Sequence, residues 1–311
     1  MRTRIMTSLT GYEVEEYLKR NDIIYVPVGP TEYNGGSPID VEYVIPLAYG
    51  LKLAEKSDGL VFPYLAYFYP GGTTSGRATV MVTPTQGINY LEILTRSLIR
   101  QGFRRIVYLT SHGPSGATLQ PVTREIYDEL HVPVVWMDTG AIHGPDEAGG
   151  GPGGQRPAGA PPAAAAQRPA APAAQAVAGS GTPPAPGARN LITYGAYALV
   201  GRLNDMPVGL TAPPHPIPPA RTQSQISRLA GFGGVGNFYN DVAEHGGFAT
   251  AITAEQRDQY GREGAAIIEA QVAAFDAMGL VDAIRAHDQY TKGVVAKFGD
   301  LLPGHDVGAG R

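Results

Sequence analysis

Two hydrophobic rhythms alternate along the chain. Ile23, Ile24, Tyr25, Val26 and Val28 form a run of strand length without polar alternation, closed by Gly29 and Pro30, the pattern of a strand covered on both faces. Ahead of it, Ser8 or Thr10 caps an acidic turn, with Val14, Tyr17 and Leu18 at helical spacing. Behind it, Val44, Leu47, Ala48, Leu51 and Ala54 make a helical stripe with Pro46 expected in its first turn. The rhythms then repeat. A second strand is expected over 60–67, an amphipathic helix from Pro84 to a closing Gly102, a third strand over 106–109, a helix over 121–130 and a fourth strand over 132–138. This β, α, β, α order predicts an α/β fold: a central, mainly parallel sheet flanked by helices on both faces.

Between Gly144 and Arg189 the pattern stops, and nearly every residue is Ala, Gly, Pro, Gln or Ser. Such a stretch buries too little surface to offset its ordering entropy, so 144–189 is read as a flexible insertion, either a lid or passive. Helical periodicity returns over 194–200 and again over 253–278, where Tyr260, Gly264, Ile267, Ile268, Val272 and Phe275 share a face. Residues 1–143 and 190–299 are therefore expected to form one domain, with 300–311 as a tail. The glycine run 233–236 lacks the preceding strand and the acidic partner of a dinucleotide fingerprint.

Composition narrows the chemistry. A net charge of -4, without any Lys/Arg-rich run, argues against a nucleic-acid partner. The absence of cysteine removes disulfides, thiolate zinc sites and a cysteine nucleophile together. There is no signal-peptide pattern and no run of about 18 apolar residues, so no membrane partner and a cytoplasmic location are expected.

In open parallel sheets ligands bind at the carboxyl ends of strands, which is where Glu32, Tyr33, Asn34 and Asp40 fall after the first strand and His112 after the third. Two carboxylates and an imidazole suit a divalent ion such as Zn or Mn, with Fe a further candidate. An ion so held lowers the pKa of a bound water towards roughly 7, which is hydrolytic chemistry. A plainer reading has Glu32 as a cap, Asp40 as the start of the next helix and His112 as a hydrogen-bonded structural residue. Tyr33, Tyr67 and Tyr69 are expected to line the pocket, and the Gly71, Gly72, Thr73 and Thr74 loop to offer backbone N–H groups to an oxyanion.

At these residues the chain resembles the creatininase (creatinine amidohydrolase) family, whose members carry a Pro-x-Gly-x-x-Glu-x-His-Gly loop leading to an Asp, a Phe-Pro-Gly-Thr loop, and a strand ending in Asn-Gly-His-Gly-Gly-Asn. Here the matching stretches are Pro27 to Gly35, Asp40, Tyr69 to Thr73, and Thr110 to Ser115. The resemblance implies an α/β fold, a two-metal site, hydrolysis of non-peptide, often cyclic, amide C–N bonds, and a hexamer. It places Glu32, Asp40 and His112 at the first metal; Tyr33, Asn34, Tyr69, Gly72 and Thr73 are the residues expected around the substrate. Asn34 stands where the family has a histidine ligand of the second metal. The family's further glutamate has no counterpart in Thr193 to Ala196, leaving His143 and Glu147 as candidate catalytic substitutes. The expectation is a divergent member with about one ion per subunit, a small-molecule substrate and a homo-oligomeric state. A non-hydrolytic elimination or cyclisation, or an inactive binding subunit, stand as alternatives.

Overall fold

The computed structural model describes residues 1–142, 188–210, 236, 238 and 251–304. The four strands are β1 (Ile23–Pro27), β2 (Leu60–Val61), β3 (Arg105–Thr110) and β4 (Val134–Asp138). They form one sheet in the order β2-β1-β3-β4, with all neighbours parallel. The helices are α1 (Gly11–Leu18), α2 (Val41–Ser57), α3 (Pro84–Gln101), α4 (Gly116–Leu130), α5 (Ala188–Leu199), α6 (Ala254–Ala274) and α7 (Ala277–Phe298).

The unbroken apolar run of β1 has the meaning its pattern suggests, because every residue of it is buried. Successive side chains on a strand point to opposite faces. Ile23 and Tyr25 therefore enter the core formed with α2, α5, α6 and α7, whereas Ile24 and Val26 enter the core formed with α1, α3 and α4. Tyr17 closes one end by donating its hydroxyl proton to the Ile23 carbonyl at 2.6 Å.

Local signals explain most boundaries. Thr10 and Glu13 form a reciprocal capping box at α1, and Thr83 and Gln86 do the same at α3. Gly102 ends α3 in the left-handed region at φ 109°, which a side chain would disfavour. Four expectations need correction. Pro46 lies inside α2, beyond its first turn, and Pro121 lies inside an α4 that begins at Gly116. The second strand is only Leu60–Val61, with one further bridge between Val28 and Leu65. The last helical region is two helices, since Phe275 turns extended and Asp276 caps α7 by accepting from the Gly279 amide.

Helices α5 and α6 cross with backbones in contact. A Cβ on Gly195 would lie 2.0 Å from the Gly264 carbonyl carbon, and one on Gly264 would lie 1.8 Å from the Leu191 oxygen. This approach seats the α5 end, with Tyr197, against the start of α2. No described helix is long and apolar enough by itself to cross a membrane.

Candidate active site

The strand order makes β1 and β3 the point where successive connections leave in opposite directions, the usual ligand crevice of an open parallel sheet. Three loops meet there: the one after β1, the 3-10 turn Gly71–Ser75, and the one after β3. Each is tied to the others. Gly71, at φ 64°, would bring a Cβ within 2.8 Å of Pro114, and the Glu32 amide closes its own loop by donating to the Ile39 carbonyl at 2.8 Å.

Glu32 and His112 are brought together. His112 Nε2 lies 3.4 Å from Glu32 Oε2, with Glu32 fully buried and His112 nearly so. Each is held from behind. The Thr73 hydroxyl, itself 2.8 Å from the Pro70 carbonyl, bonds Glu32 Oε2, and the Ser115 hydroxyl lies 3.1 Å from His112 Nδ1. If Nδ1 carries the ring proton and donates to Ser115, Nε2 and Glu32 Oε2 are two acceptors face to face, and a proton or cation belongs between them.

Asp40 is not part of that pair. It stands at the start of α2 without capping it, accepts from the Tyr197 hydroxyl at 2.5 Å through Oδ1, and meets Arg202 at 2.6 Å through Oδ2. Burial and the adjoining Asp40 carboxylate push the Tyr197 hydroxyl above its ordinary pKa. Burial opposes the charge of Arg202, but its bonds to Asp40 and Asp205 outweigh that and raise its pKa.

The substrate-side expectations divide similarly. Asn34 donates to Glu42 Oε1 at 3.2 Å, so the residue standing at the family's histidine position is engaged by a carboxylate. Thr73 is buried and spent on Glu32, while Gly72 sits in the same 3-10 turn. The Tyr33 amide donates to Thr79 Oγ1 at 3.0 Å, and the Tyr33 side chain covers Gly76. Tyr69 is half-buried beside that turn. Tyr67 instead lines an open groove of about 520 Å³ with Tyr64, Leu65, Met81, Val82, Gln86 and Tyr90, which has neither Glu32 nor His112 in its walls. The walls of this groove hold no ionisable group except tyrosine. His143 and Glu147 lie outside the described residues, as do residues 144–187 of the expected 144–189 insertion, whose last two residues instead begin α5.

Glu42, Ser111, Ser115, Tyr197 and Arg202 were not anticipated. Glu42 is buried and takes a bond at 3.1 Å from the Ser111 hydroxyl. Its backbone is in the site for a reason local to α2. Pro46 has no N–H to return to the Glu42 carbonyl four residues earlier, and Ser111 supplies the donor at 3.1 Å. Gly29 lets this turn approach, since a Cβ there would fall 2.2 Å from the same carbonyl oxygen.

The creatinine amidohydrolase family profile, named Creatininase, matches residues 7–173, more than half of the chain. The chain belongs to the creatininase family. Among solved structures, a creatinine amidohydrolase (creatininase) aligns at 19% identity over 91% of this chain and 97% of its own, with a TM-score of 0.53. A structure titled "Creatininase Mn" aligns at 18% identity over 92% and 98%, TM-score 0.52. A mutant creatininase complexed with creatine gives 19% identity over 92% and 98%, TM-score 0.52. No curated protein sequence matches the chain. At these identities the structures establish a shared fold, and the family is one of amidohydrolases acting on small-molecule amides.

Family members are Mn or Zn enzymes, and the residues present bear on that directly. Two ligands of a tetrahedral ion with bonds of about 2.1 Å stand roughly 3.4 Å apart, and Glu32 Oε2 and His112 Nε2 are separated by 3.4 Å. This half of a single-ion site fits. The rest of the expected set does not: Asp40 is ion-paired, and among the described residues no group of three His, Asp or Glu side chains is gathered to hold a metal.

Proposed function

We propose that this creatininase-family chain hydrolyses a non-peptide amide C–N bond in a small cyclic molecule, with Glu32 and His112 as the reacting pair. The observation that carries the reading is the buried pair at the β1 and β3 carboxyl ends, fixed from behind by Thr73 and Ser115. A divalent ion, Zn or Mn with Fe as the other candidate, would be held by Glu32 and His112 and would supply Lewis acidity and a more acidic water.

The chain's own groups carry the remaining work. Glu32, through the carboxylate oxygen that does not face His112, accepts the proton of the attacking water, whose oxygen joins the carbonyl carbon, and returns that proton to the leaving nitrogen as the C–N bond breaks. Ser115 keeps the imidazole oriented. Backbone N–H groups of the turn around Gly72 and Thr73 face the developing oxyanion, and Tyr33, Asn34 and Tyr69 border the substrate. His143 and Glu147 are proposed contributors to the general acid step. The altered site takes about one ion per subunit. We further propose a cytoplasmic homo-oligomer, a hexamer by family, in which 1–143 and 190–299 are one domain interrupted by 144–189.

The ion pair on Asp40 also favours a second reading, an elimination or cyclisation at the same pair, because it leaves fewer donors for a hydrolytic metal site. Incubation with a panel of cyclic amides, followed by mass analysis, separates the two. Hydrolysis yields a product heavier by one water and is lost in E32Q. A product of unchanged mass, or a fragment released without water, selects the second reading; no turnover or binding across the panel removes both.

A further inference from the structure

Arg202 lies between two carboxylates. Its guanidinium meets Asp40 Oδ2 at 2.6 Å and Asp205 Oδ2 at 2.7 Å, and it lies 5.3 Å from the centre of the Tyr197 ring, whose hydroxyl binds the other oxygen of Asp40. Asp40 follows the loop that Glu32 opens, so this cluster borders the crevice that holds the Glu32 and His112 pair. Two carboxylates aimed at one point repel unless a cation lies between them. In this chain the cation is covalently part of the protein.

We propose that Arg202 is the resident counter-cation of Asp40 and Asp205 and that, by occupying Asp40, it excludes a divalent metal ion from that carboxylate. The inference rests on the hydrolase reading only for the place of the crevice. The chemistry is that of a fixed charge replacing an exchangeable one. A guanidinium cannot be deprotonated or removed by chelator, and its planar fork holds carboxylates at defined angles. A carboxylate such as Asp40 is a hard donor, suited to Mn or Mg more than to a soft ion.

The test is Mn²⁺ binding by calorimetry and elemental analysis on the intact chain, for the wild type, Arg202→Met, Arg202→Gln, Arg202→Lys, Asp40→Asn and the Arg202→Met/Asp40→Asn double variant. Circular dichroism and size-exclusion profiles check folding. The neutral Arg202 variants are expected to bind one more ion per subunit than the wild type, the double variant to lose it again, and Arg202→Lys and Asp40→Asn to keep the wild-type number. Two folded neutral variants with the wild-type number overturn the proposal, as does loss of an ion in Asp40→Asn. The Glu32→Gln variant tests the hydrolase site separately. If the wild-type ion survives that change while Arg202→Met still gains one, the pair assignment fails and the Arg202 inference stands.

Discussion

Replacing Gly29 by alanine tests how the end of β1 and the start of α2 make the crevice. The added Cβ would lie 2.2 Å from the Glu42 oxygen, 2.5 Å from its carbon and 2.7 Å from the Tyr43 nitrogen, all backbone atoms. Ordinary contact begins near 3.4 Å, so one backbone must retreat by more than about 1 Å. Neither backbone is free to do so, because α2 is buried beneath the sheet and the Glu42 carbonyl is bonded to Ser111. Overpacking of this kind costs about 1–3 kcal/mol, and at backbone atoms the upper end applies. That corresponds to a loss of roughly 2–4 °C in Tm per kcal/mol for a domain of this size. A shift of about 1 Å in the Glu42 turn should also lower kcat about 10²-fold, since Glu42 orients Asn34 and Ser111 next to His112. The assay pairs urea unfolding with turnover, using Gly11→Ala as control because a Cβ at Gly11 meets nothing within 4 Å. Equal unfolding midpoints and equal kcat for Gly29→Ala and wild type would refute the reasoning.

Two further changes probe the other face of the sheet. Burial, together with the hydrogen bond and repulsion of Glu125, pushes the Glu92 carboxyl from 4.5 up to about 7. Its folded-state pKa is raised, so the stability it gives is complete below about pH 4.5 and is lost as pH rises through 7. Glu92→Gln stays neutral, and after allowance for solvent screening should be more stable than wild type by about 1 kcal/mol at alkaline pH and equal to it at acidic pH. Thermal scans across pH check this, and a pH-independent difference would contradict it. The Thr95 and Tyr108 hydroxyls meet at 2.7 Å with both side chains fully buried. Thr95→Val should cost about 1–3 kcal/mol by stranding the Tyr108 hydroxyl, and adding Tyr108→Phe should recover much of it in urea titrations.

What the sequence disclosed follows from the range of the forces involved. β1 and β3 declared themselves because strands buried on both faces leave no polar alternation, α1 because its capping residues sit within three positions of one another, and α3 because of its amphipathic stripe and the Gly102 that closes it. Glu32 and His112 could be singled out because each lies in the loop that follows such a strand. The fate of Asp40 could not be read in this way. Its partners Tyr197 and Arg202 are 157 and 162 residues distant, and only the Gly195 and Gly264 helix crossing, with the packing of α5 on α2, brings them in. Glu42 was hidden for a subtler reason. It occupies the first turn of a helix, where an acid is expected for the dipole alone, and only its burial against Ser111 marks it as part of the site.

The central claim is that the reacting centre is the Glu32 and His112 pair and that Asp40 stands outside it. The measurement that tests this most directly is kcat for Glu32→Gln, His112→Ala and Asp40→Asn on the best cyclic amide found, with folding verified for each. The account predicts losses of about 10²-fold or more for the first two and less than about ten-fold for Asp40→Asn. A loss in Asp40→Asn as large as that in Glu32→Gln would contradict it.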